Sequence, residues 1–280
     1  MNAAKRISDT QRGHGLLRLH ENTQGRDFFV GDIHGQYDSL MAKLGSVKFD
    51  EDRDRLISVG DLIDRGPKSR MCLELLYEPW FHSVFGNHED FFASAFLERD
   101  DDAVVGLIRN GGEWTLEEDD GEMLVLAADV VATMPLAIEL PFKGHRIGVI
   151  HAACTSGTWG LFDLDADIWN RRINRSIGDG SEPLPPEAAV AGIDVVVVGH
   201  NVVDQPCMRG NTLNLDCGAA RGHDVTLWSA EDVLEFARVH QRGNHVESVY
   251  REDRANGLFD DLDWLVENEH MTKSMGGPNR

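Results

Sequence analysis

The chain has 280 residues, which is enough for one large α/β domain or two small ones with a substantial core. Its formal net charge is −21, with 48 acidic against 27 basic residues. Such a surface repels phosphate backbones and anionic membranes, so we expect neither nucleic acid nor lipid as a partner. No apolar run reaches the roughly 18 residues that suggest a membrane span.

Four cysteines, Cys72, Cys154, Cys207 and Cys217, are scattered along the chain without a CxxC pair. This spacing indicates neither a zinc knuckle nor a disulfide framework, and it is typical of a reducing compartment. The first 25 residues are polar and carry no hydrophobic region of the secretory type. We therefore expect a soluble, cytoplasmic protein.

The apolar run 28–30 is followed by the sequence GDIHG at 31–35. Side chains two positions apart in an extended chain point to the same face, so Asp32 and His34 leave the strand end side by side. The flanking glycines let backbone or ligand approach closely. A carboxylate and an imidazole in this arrangement indicate half of a metal site. Taken alone, the same residues also fit a turn that the aspartate caps.

The same pattern, an apolar run that ends in a polar residue able to hold a metal, recurs at four later points. Those polar residues are Asp61, Asn87, His151 and His200. Helical patterns follow the earlier runs, and strands that alternate with helices predict βαβ units. Because the carboxyl ends of parallel strands meet where α/β sites usually form, we predict that these side chains converge.

The remaining segments carry less information about chemistry. Residues 98–130 are acidic and predict a helical insertion, with a break at Asn110-Gly111-Gly112 and no obvious chemistry. Near the C-terminus, Leu258, Leu262 and Leu265 have helical spacing in an acidic context. We expect three parts, namely a polar N-terminal segment at 1–25, a main domain at 26–241 and an acidic extension at 242–280 with one amphipathic helix.

Three phrases, GDIHG at 31–35, GDLIDRG at 60–66 and GNHE at 86–89, resemble the three signatures of calcineurin-like metallophosphoesterases. More narrowly, the chain is similar to the phosphoprotein phosphatase family from about Arg26 to Trp228, with His151 and His200 in the expected order. The resemblance implies an α/β fold with a central β-sandwich flanked by helices. It also implies a dinuclear metal site at the strand ends, and that the part at 26–241 is a metallophosphatase catalytic domain.

The resemblance implies that two divalent metal ions share a hydroxide and bind the phosphoryl oxygens. The ligands it implies are Asp32 and His34 for one ion, Asn87, His151 and His200 for the other, and Asp61 between them. Two such ions outweigh the charge of two aspartates, so the site is cationic inside an acidic protein. Manganese is favoured, and iron, zinc and magnesium stay open because Asp, Asn and His serve all of them.

For catalysis, the resemblance implies direct attack of the metal-bridging hydroxide on a phosphomonoester. His88 would protonate the leaving alkoxide, and its partner Asp64 would raise the basicity of the imidazole. Arg65 and Arg171 offer bidentate forks for the phosphate oxygens. Arg172 and Arg175 are alternatives to Arg171. Arg171 is favoured because it follows Trp-Asn as in the resembled family.

These features predict a protein serine/threonine phosphatase that acts on phosphorylated proteins or peptides, with phosphotyrosine left open. One alternative is a symmetrical diadenosine tetraphosphate hydrolase, or another small-molecule phosphoesterase. Such symmetrical hydrolases typically carry Ala where this chain has Asp64, which favours phosphomonoesters. A catalytically inactive metal-binding module is the second alternative, and it would be expected to have lost ligands. One departure from the family is Phe85, where an arginine often precedes GNHE.

Overall fold

A computed structural model describes residues 15–171 and 189–240. The strands are β1 (Leu16–Arg18), β2 (Asp27–Val30), β3 (Arg55–Ser58), β4 (Phe81–Ser83), β5 (Ala137–Phe142), β6 (His145–Ile150), β7 (Val195–Val198), β8 (Cys207–Arg209), β9 (Thr212–Asn214) and β10 (Leu227–Ser229). The helices are α1 (Tyr37–Ser46), α2 (Ser69–Glu74), α3 (Asn87–Ala93), α4 (Asp101–Arg109), α5 (Asp120–Thr133), α6 (Leu164–Trp169) and a helix over 230–240, labelled α7. Short 3₁₀ turns lie at Leu75–Tyr77, Glu113–Glu117 and Ala219–Arg221, and a π-helical turn lies at Ser94–Glu98.

The strands form two sheets. One has the order β10-β2-β3-β4, and the other has the order β1-β5-β6-β7-β9-β8. Strands β2, β3 and β4 are parallel to one another, as are β6, β7 and β9. Helix α1 connects β2 to β3 and helix α2 connects β3 to β4. The βαβ units predicted from the alternating pattern are therefore confirmed.

A shared apolar core joins the two sheets. Phe29 of β2 and Ile57 of β3 belong to the same buried cluster as Ile138 and Val197 of the other sheet. Phe28, which points to the opposite face of β2, packs instead with the helices. Because strand side chains alternate between faces, one continuous apolar run supplies both cores. The sheets therefore pack face to face as a sandwich, with helices outside them.

Strand β1 lies within the segment that the sequence predicts to be polar and without a strand pattern. It pairs in parallel with β5, with Leu16 opposite Ala137 and Arg18 opposite Glu139. Leu17 is 37% exposed. A three-residue edge strand is too short to show a period, and backbone hydrogen bonds to β5 place it more than side-chain burial does. Part of the predicted N-terminal segment thus belongs to the six-stranded sheet.

The predicted C-terminal extension at 242–280 lies outside the described residues, together with Leu258, Leu262 and Leu265. In the ranges that are described, no helix combines the length and the apolar character needed to cross a membrane.

Phe29 has no exposed surface and lies between the sheets. We predict that Phe29→Ala lowers the free energy of unfolding by about 3–5 kcal/mol, because the truncation leaves a cavity that two packed sheets can only partly close. Urea unfolding followed by circular dichroism measures this loss. Val125→Ala, at a helix position that is 59% exposed, is the control and should change stability by less than about 0.5 kcal/mol. Equal losses in the two variants would contradict the inter-sheet core.

Candidate metal centre and active site

The side chains predicted as metal ligands meet at the carboxyl ends of parallel strands. Asp32 and His34 follow β2, Asp61 follows β3, Asn87 follows β4, His151 follows β6, and His200 follows β7. All six residues are buried, and none is more than 6% exposed. The four-stranded sheet supplies three of these strand ends and the six-stranded sheet supplies two, so the candidate site lies where the edges of the two sheets meet.

Asp61 lies at the centre of this group. Its Oδ2 is 3.7 Å from His34 Nε2, and its Oδ1 is 3.3 Å from His151 Nε2. The two carboxylate oxygens therefore face different sets of nitrogen donors. One set joins Asp61 with His34 and His88, the other joins it with His151 and His200, and within each set the donor atoms lie within 4.8 Å of one another.

Hydrogen bonds to the backbone orient the imidazoles. His34 Nδ1 lies 2.8 Å from the carbonyl oxygen of Ile63, and His151 Nδ1 lies 2.7 Å from that of Val59. Each Nδ1–H donates to its carbonyl, which directs Nε2 into the cluster. The buried Nε2 of His200 has no hydrogen-bond partner among the described residues. A buried nitrogen left in this state fits a ligand that awaits a metal cation.

The charge of the buried carboxylates also indicates a cation site. Asp32 and Asp61 are each 2% exposed, and Asp216, which follows β9, is 1% exposed. Burial raises the pKa of Asp32 well above its usual range, and the charges of Asp216 and Asp61 raise it further. Buried negative charge without compensation is strongly unfavourable, so these residues fit a site for divalent cations. Asp216 is absent from the predicted ligands, although a carboxylate after a strand is the same signal.

Asp32 is held by the segment that carries His200. Both carboxylate oxygens of Asp32 accept from the backbone N–H of His200, at 3.0 and 3.1 Å. A Cβ added at Gly199 would lie 1.9 Å from Asp32 Oδ1. Only a glycine at this position leaves room for the carboxylate, which explains the glycine that precedes the histidine.

His88 lies beside this cluster and is paired with Asp64. Its Nδ1 is 2.6 Å from Asp64 Oδ2, and its Nε2 is 3.2 Å from Arg65 Nη2 and 3.9 Å from Asp61 Oδ2. Burial lowers the pKa of His88, but the carboxylates of Asp61 and Asp64 outweigh burial, so the pKa lies above its usual value. This arrangement keeps a proton on an imidazole that faces the ligand cluster, as a general acid requires.

Several predicted site residues have left-handed backbone conformations. These are His34, Asp61, Asp64, Arg65 and His200, with φ between 45° and 71°. Among the other described residues, only three that are not glycine share this conformation. It costs on the order of 1–3 kcal/mol for each such residue. The backbone strain is therefore concentrated at the residues predicted as metal ligands and at Asp64, the predicted partner of the acid.

Glu89 holds the strained loop after β3 against the start of α3, and the sequence analysis assigned it no role. Its fully buried carboxylate accepts from the N–H groups of Asp61, Leu62 and Gly86, at 2.9, 2.8 and 3.0 Å. These bonds link the loop after β3 to the start of α3, where Asn87 lies. The position of Glu89 at the end of GNHE, two residues after a predicted ligand, is the one sequence feature that could have indicated this role.

Arg171 and Arg65 are exposed, whereas the other predicted site residues are buried. Burial lowers the pKa of His200 to about 3, and the charges of His151 and Arg171 act in the same direction. Asn201 Nδ2 donates to the carbonyl oxygen of Asn170 at 2.9 Å, which ties the segment before Arg171 to the residue after His200. The arginine therefore approaches the cluster from the solvent side.

The protonation of the ligands makes metal uptake depend on pH. Burial lowers the pKa of His151, but the Asp61 carboxylate reverses this effect and raises it to about 10. His151 therefore holds a second proton near neutral pH when no metal is bound, and the raised pKa of Asp32 acts in the same direction. We predict that manganese binding to the chelator-treated protein releases at least one proton, since metal ligands must be deprotonated, and that affinity rises with pH.

Calorimetry in buffers of different ionisation enthalpy counts these protons. His151→Asn should release about one proton fewer. The same change at the exposed His20 is the control and should alter nothing. Uptake of metal by the unaltered protein without proton release would contradict the assignment.

The family model described as calcineurin-like phosphoesterase matches residues 28–226. Serine/threonine-protein phosphatase 2 of Salmonella typhimurium is 32% identical over 195 residues, which is 68% of this chain and 86% of that protein. An asymmetrical bis(5'-nucleosyl)-tetraphosphatase of Bacillus thuringiensis is 26% identical over 215 residues, which is 70% of this chain and 87% of that protein.

A crystal structure provisionally named as a diadenosine tetraphosphatase superposes with a TM-score of 0.59 at 22% sequence identity. The alignment covers 77% of this chain and 93% of that chain, and it establishes a common fold only. The fold is therefore as the three sequence motifs imply. Together with the match over residues 28–226, these relatives establish that the chain belongs to the calcineurin-like metallophosphoesterase family.

Proposed function

We propose that this protein is a metal-dependent phosphomonoesterase that removes phosphate from phosphoserine and phosphothreonine in proteins or peptides. The observation that carries the proposal is the His88–Asp64 pair, with 2.6 Å between Nδ1 and Oδ2, beside the Asp61 cluster. A serine or threonine alkoxide is a poor leaving group and needs a proton as it departs. The relative named serine/threonine-protein phosphatase supports the same class of substrate.

The ligands that we propose for two divalent cations are Asp32, His34, Asp61, Asn87, His151 and His200. Bound there, the cations would lower the pKa of a water nucleophile and neutralise charge on the phosphoryl oxygens. Manganese is the ion we favour, and the mixed nitrogen and oxygen donors also suit iron, zinc and magnesium. The oxygens of Asp61 face both donor sets, so Asp61 is the residue that couples the two positions.

Arg65 and Arg171 are proposed to bind the phosphate. Arg65 Nη2 lies 3.2 Å from His88 Nε2, so a phosphate held by Arg65 lies within reach of the imidazole. Nε2 cannot accept from Arg65 and donate to a leaving oxygen at the same time. Substrate phosphate would therefore draw the guanidinium away. His88, whose pKa lies above its usual value, can then bind a second proton at Nε2 and donate it to the leaving oxygen. Asp64 keeps hold of Nδ1 throughout and fixes the ring.

A second candidate function is hydrolysis of diadenosine tetraphosphate, which the named activity of the Bacillus thuringiensis relative favours. The leaving group of that reaction is a nucleotide, which departs as a phosphate anion and does not need to be protonated by an acid. The paired acid of His88 and Asp64 would then contribute little to the rate. Its presence at hydrogen-bond distance favours the phosphomonoester reaction.

A comparison of substrates tests the proposed function. Phosphoserine, phosphothreonine and phosphotyrosine peptides, p-nitrophenyl phosphate and diadenosine tetraphosphate are assayed side by side for kcat/KM with manganese, then again after chelation. We expect the phosphoserine and phosphothreonine peptides to exceed diadenosine tetraphosphate, and all activity to disappear with the metal. Activity that survives chelation, or a preference for the dinucleotide, would refute the proposal.

The role of His88 generates a separate prediction. His88→Asn should lower kcat for a phosphoserine peptide by about 10²–10⁴-fold, which is the usual contribution of a general acid. The loss on p-nitrophenyl phosphate should be smaller because p-nitrophenolate departs with little help. Metal content, measured by elemental analysis, should not change. His82→Asn, the same substitution at a partly buried position on β4, is the control and should leave both rates intact.

A further inference from the structure

The segment between α4 and α5 contacts the residues proposed as acid partner and phosphate clamp. Trp114 Nε1 donates to Asp64 Oδ1 at 2.8 Å. The backbone N–H of Arg65 donates to the carbonyl oxygen of Gly111 at 3.0 Å. The insertion that the sequence predicts to lack chemistry therefore holds Asp64 and Arg65 through two hydrogen bonds.

The two oxygens of Asp64 have separate partners. Oδ2 faces His88 Nδ1, while Oδ1 accepts from the indole of Trp114. Asp64 is 0% exposed, so bulk water is excluded from the carboxylate. Without the indole N–H, Oδ1 would be a buried acceptor that has lost this donor, and the carboxylate could rotate about its last bond. The indole thus fixes the plane in which Asp64 meets the imidazole.

The indole also touches the helix that carries the acid. The ring of Trp114 stacks on Phe92 of α3, with 5.9 Å between centroids and 29° between planes. Helix α3 begins at Asn87 and contains His88. Trp114 therefore bridges the two elements that must stay in register for Asp64 and His88 to remain paired.

Backbone strain explains why this contact is needed. Asp64 and Arg65 are consecutive residues with φ of 71° and 68°, a pair of left-handed conformations without a glycine. Such a turn persists only where its surroundings hold it. A Cβ added at Gly111, which has φ of +95°, would lie 2.6 Å from the nitrogen of Arg65. Glycine at 111 is what lets the insertion come close enough to hold the turn.

We propose that Trp114 is a positioning residue for the reaction. Its indole N–H holds Asp64 in the orientation that aims His88 at the leaving oxygen. Trp114, Asp64 and His88 thus form a chain of hydrogen bonds in which only His88 gives up a proton. This inference rests on the general-acid role proposed for His88. It follows that Trp114 matters most for alkyl phosphates, whose leaving groups depend on that proton.

Trp114→Phe tests this hydrogen-bond chain because the variant keeps an aromatic ring against Phe92 and removes the N–H donor. Trp114 is partly exposed, so the smaller ring can be accommodated. We expect kcat for a phosphoserine peptide to fall by about tenfold to a hundredfold, the change that matches a hydrogen bond to a charged group. The rate on p-nitrophenyl phosphate should fall by less than roughly threefold. KM and metal content should stay the same.

Trp159→Phe is a matched control. Trp159 Nε1 also donates to a carboxylate, Glu139 Oε2 at 2.8 Å, and its ring lies in the apolar cluster on the outer face of the six-stranded sheet. This variant should lose stability without changing the ratio of rates on the two substrates. If Trp114→Phe lowers both rates by the same factor, its indole is structural and the inference is overturned.

Two further variants separate this inference from the proposed function. If His88→Asn shows a loss that does not depend on the leaving group, the general-acid role itself fails. If His88→Asn shows that dependence and Trp114→Phe does not, only the role of Trp114 fails. In an Asp64→Ala background, where the acceptor is gone, Trp114→Phe should cause no further loss of kcat on the phosphoserine peptide. If the two substitutions lower kcat by fully additive free energies, the positioning role of Trp114 is contradicted.

Discussion

The charge of one buried carboxylate organises this site. Burial raises the pKa of Asp61, but the neighbouring His151 and His88 overcome burial and hold it well below its usual range. The carboxylate therefore stays ionised in a place where an isolated charge would be strongly disfavoured. Three of the imidazoles around it, those of His34, His88 and His151, are each oriented by a hydrogen bond at Nδ1, such as the one between His151 and the carbonyl of Val59. A central anion with fixed donors on both sides is the arrangement that two cations require.

The fold supplies that arrangement because parallel strands of two sheets end in the same region. A loop that leaves a parallel strand must turn sharply, and here the turns place Asp61 and His200 in left-handed conformations. The buried Glu89 compensates by accepting three backbone N–H groups. Phe85, where the family often has an arginine, lies fully buried in the core beneath the helices. The aromatic ring of Phe85 packs well at this buried position, whereas a charged arginine side chain there would be poorly solvated.

The sequence predicted the elements that carry strong local patterns. Apolar runs closed by a glycine and a polar residue identified the strands before Asp32 and His200, and the three motifs supplied the family. The sequence did not predict β1, whose three residues form backbone bonds at a sheet edge without an apolar period. It also did not single out Trp114, because the indole meets Asp64 across 50 residues of chain and no local pattern records that contact.

The contact that the sequence could not reveal bears most directly on substrate choice. Metal ions held by the proposed ligands would stabilise a phosphoryl group whatever its leaving group, so they would not distinguish an alkyl phosphate from a phosphoanhydride. Only the acid does so, because an alkoxide needs a proton and a phosphate anion does not. Asp64 contacts the proposed acid His88, and Trp114 of the α4–α5 segment contacts Asp64, so this segment would set the orientation of the acid. On the proposed mechanism, selectivity for phosphomonoesters would depend on a segment outside the three motifs, and relatives that share every proposed metal ligand could differ in substrate.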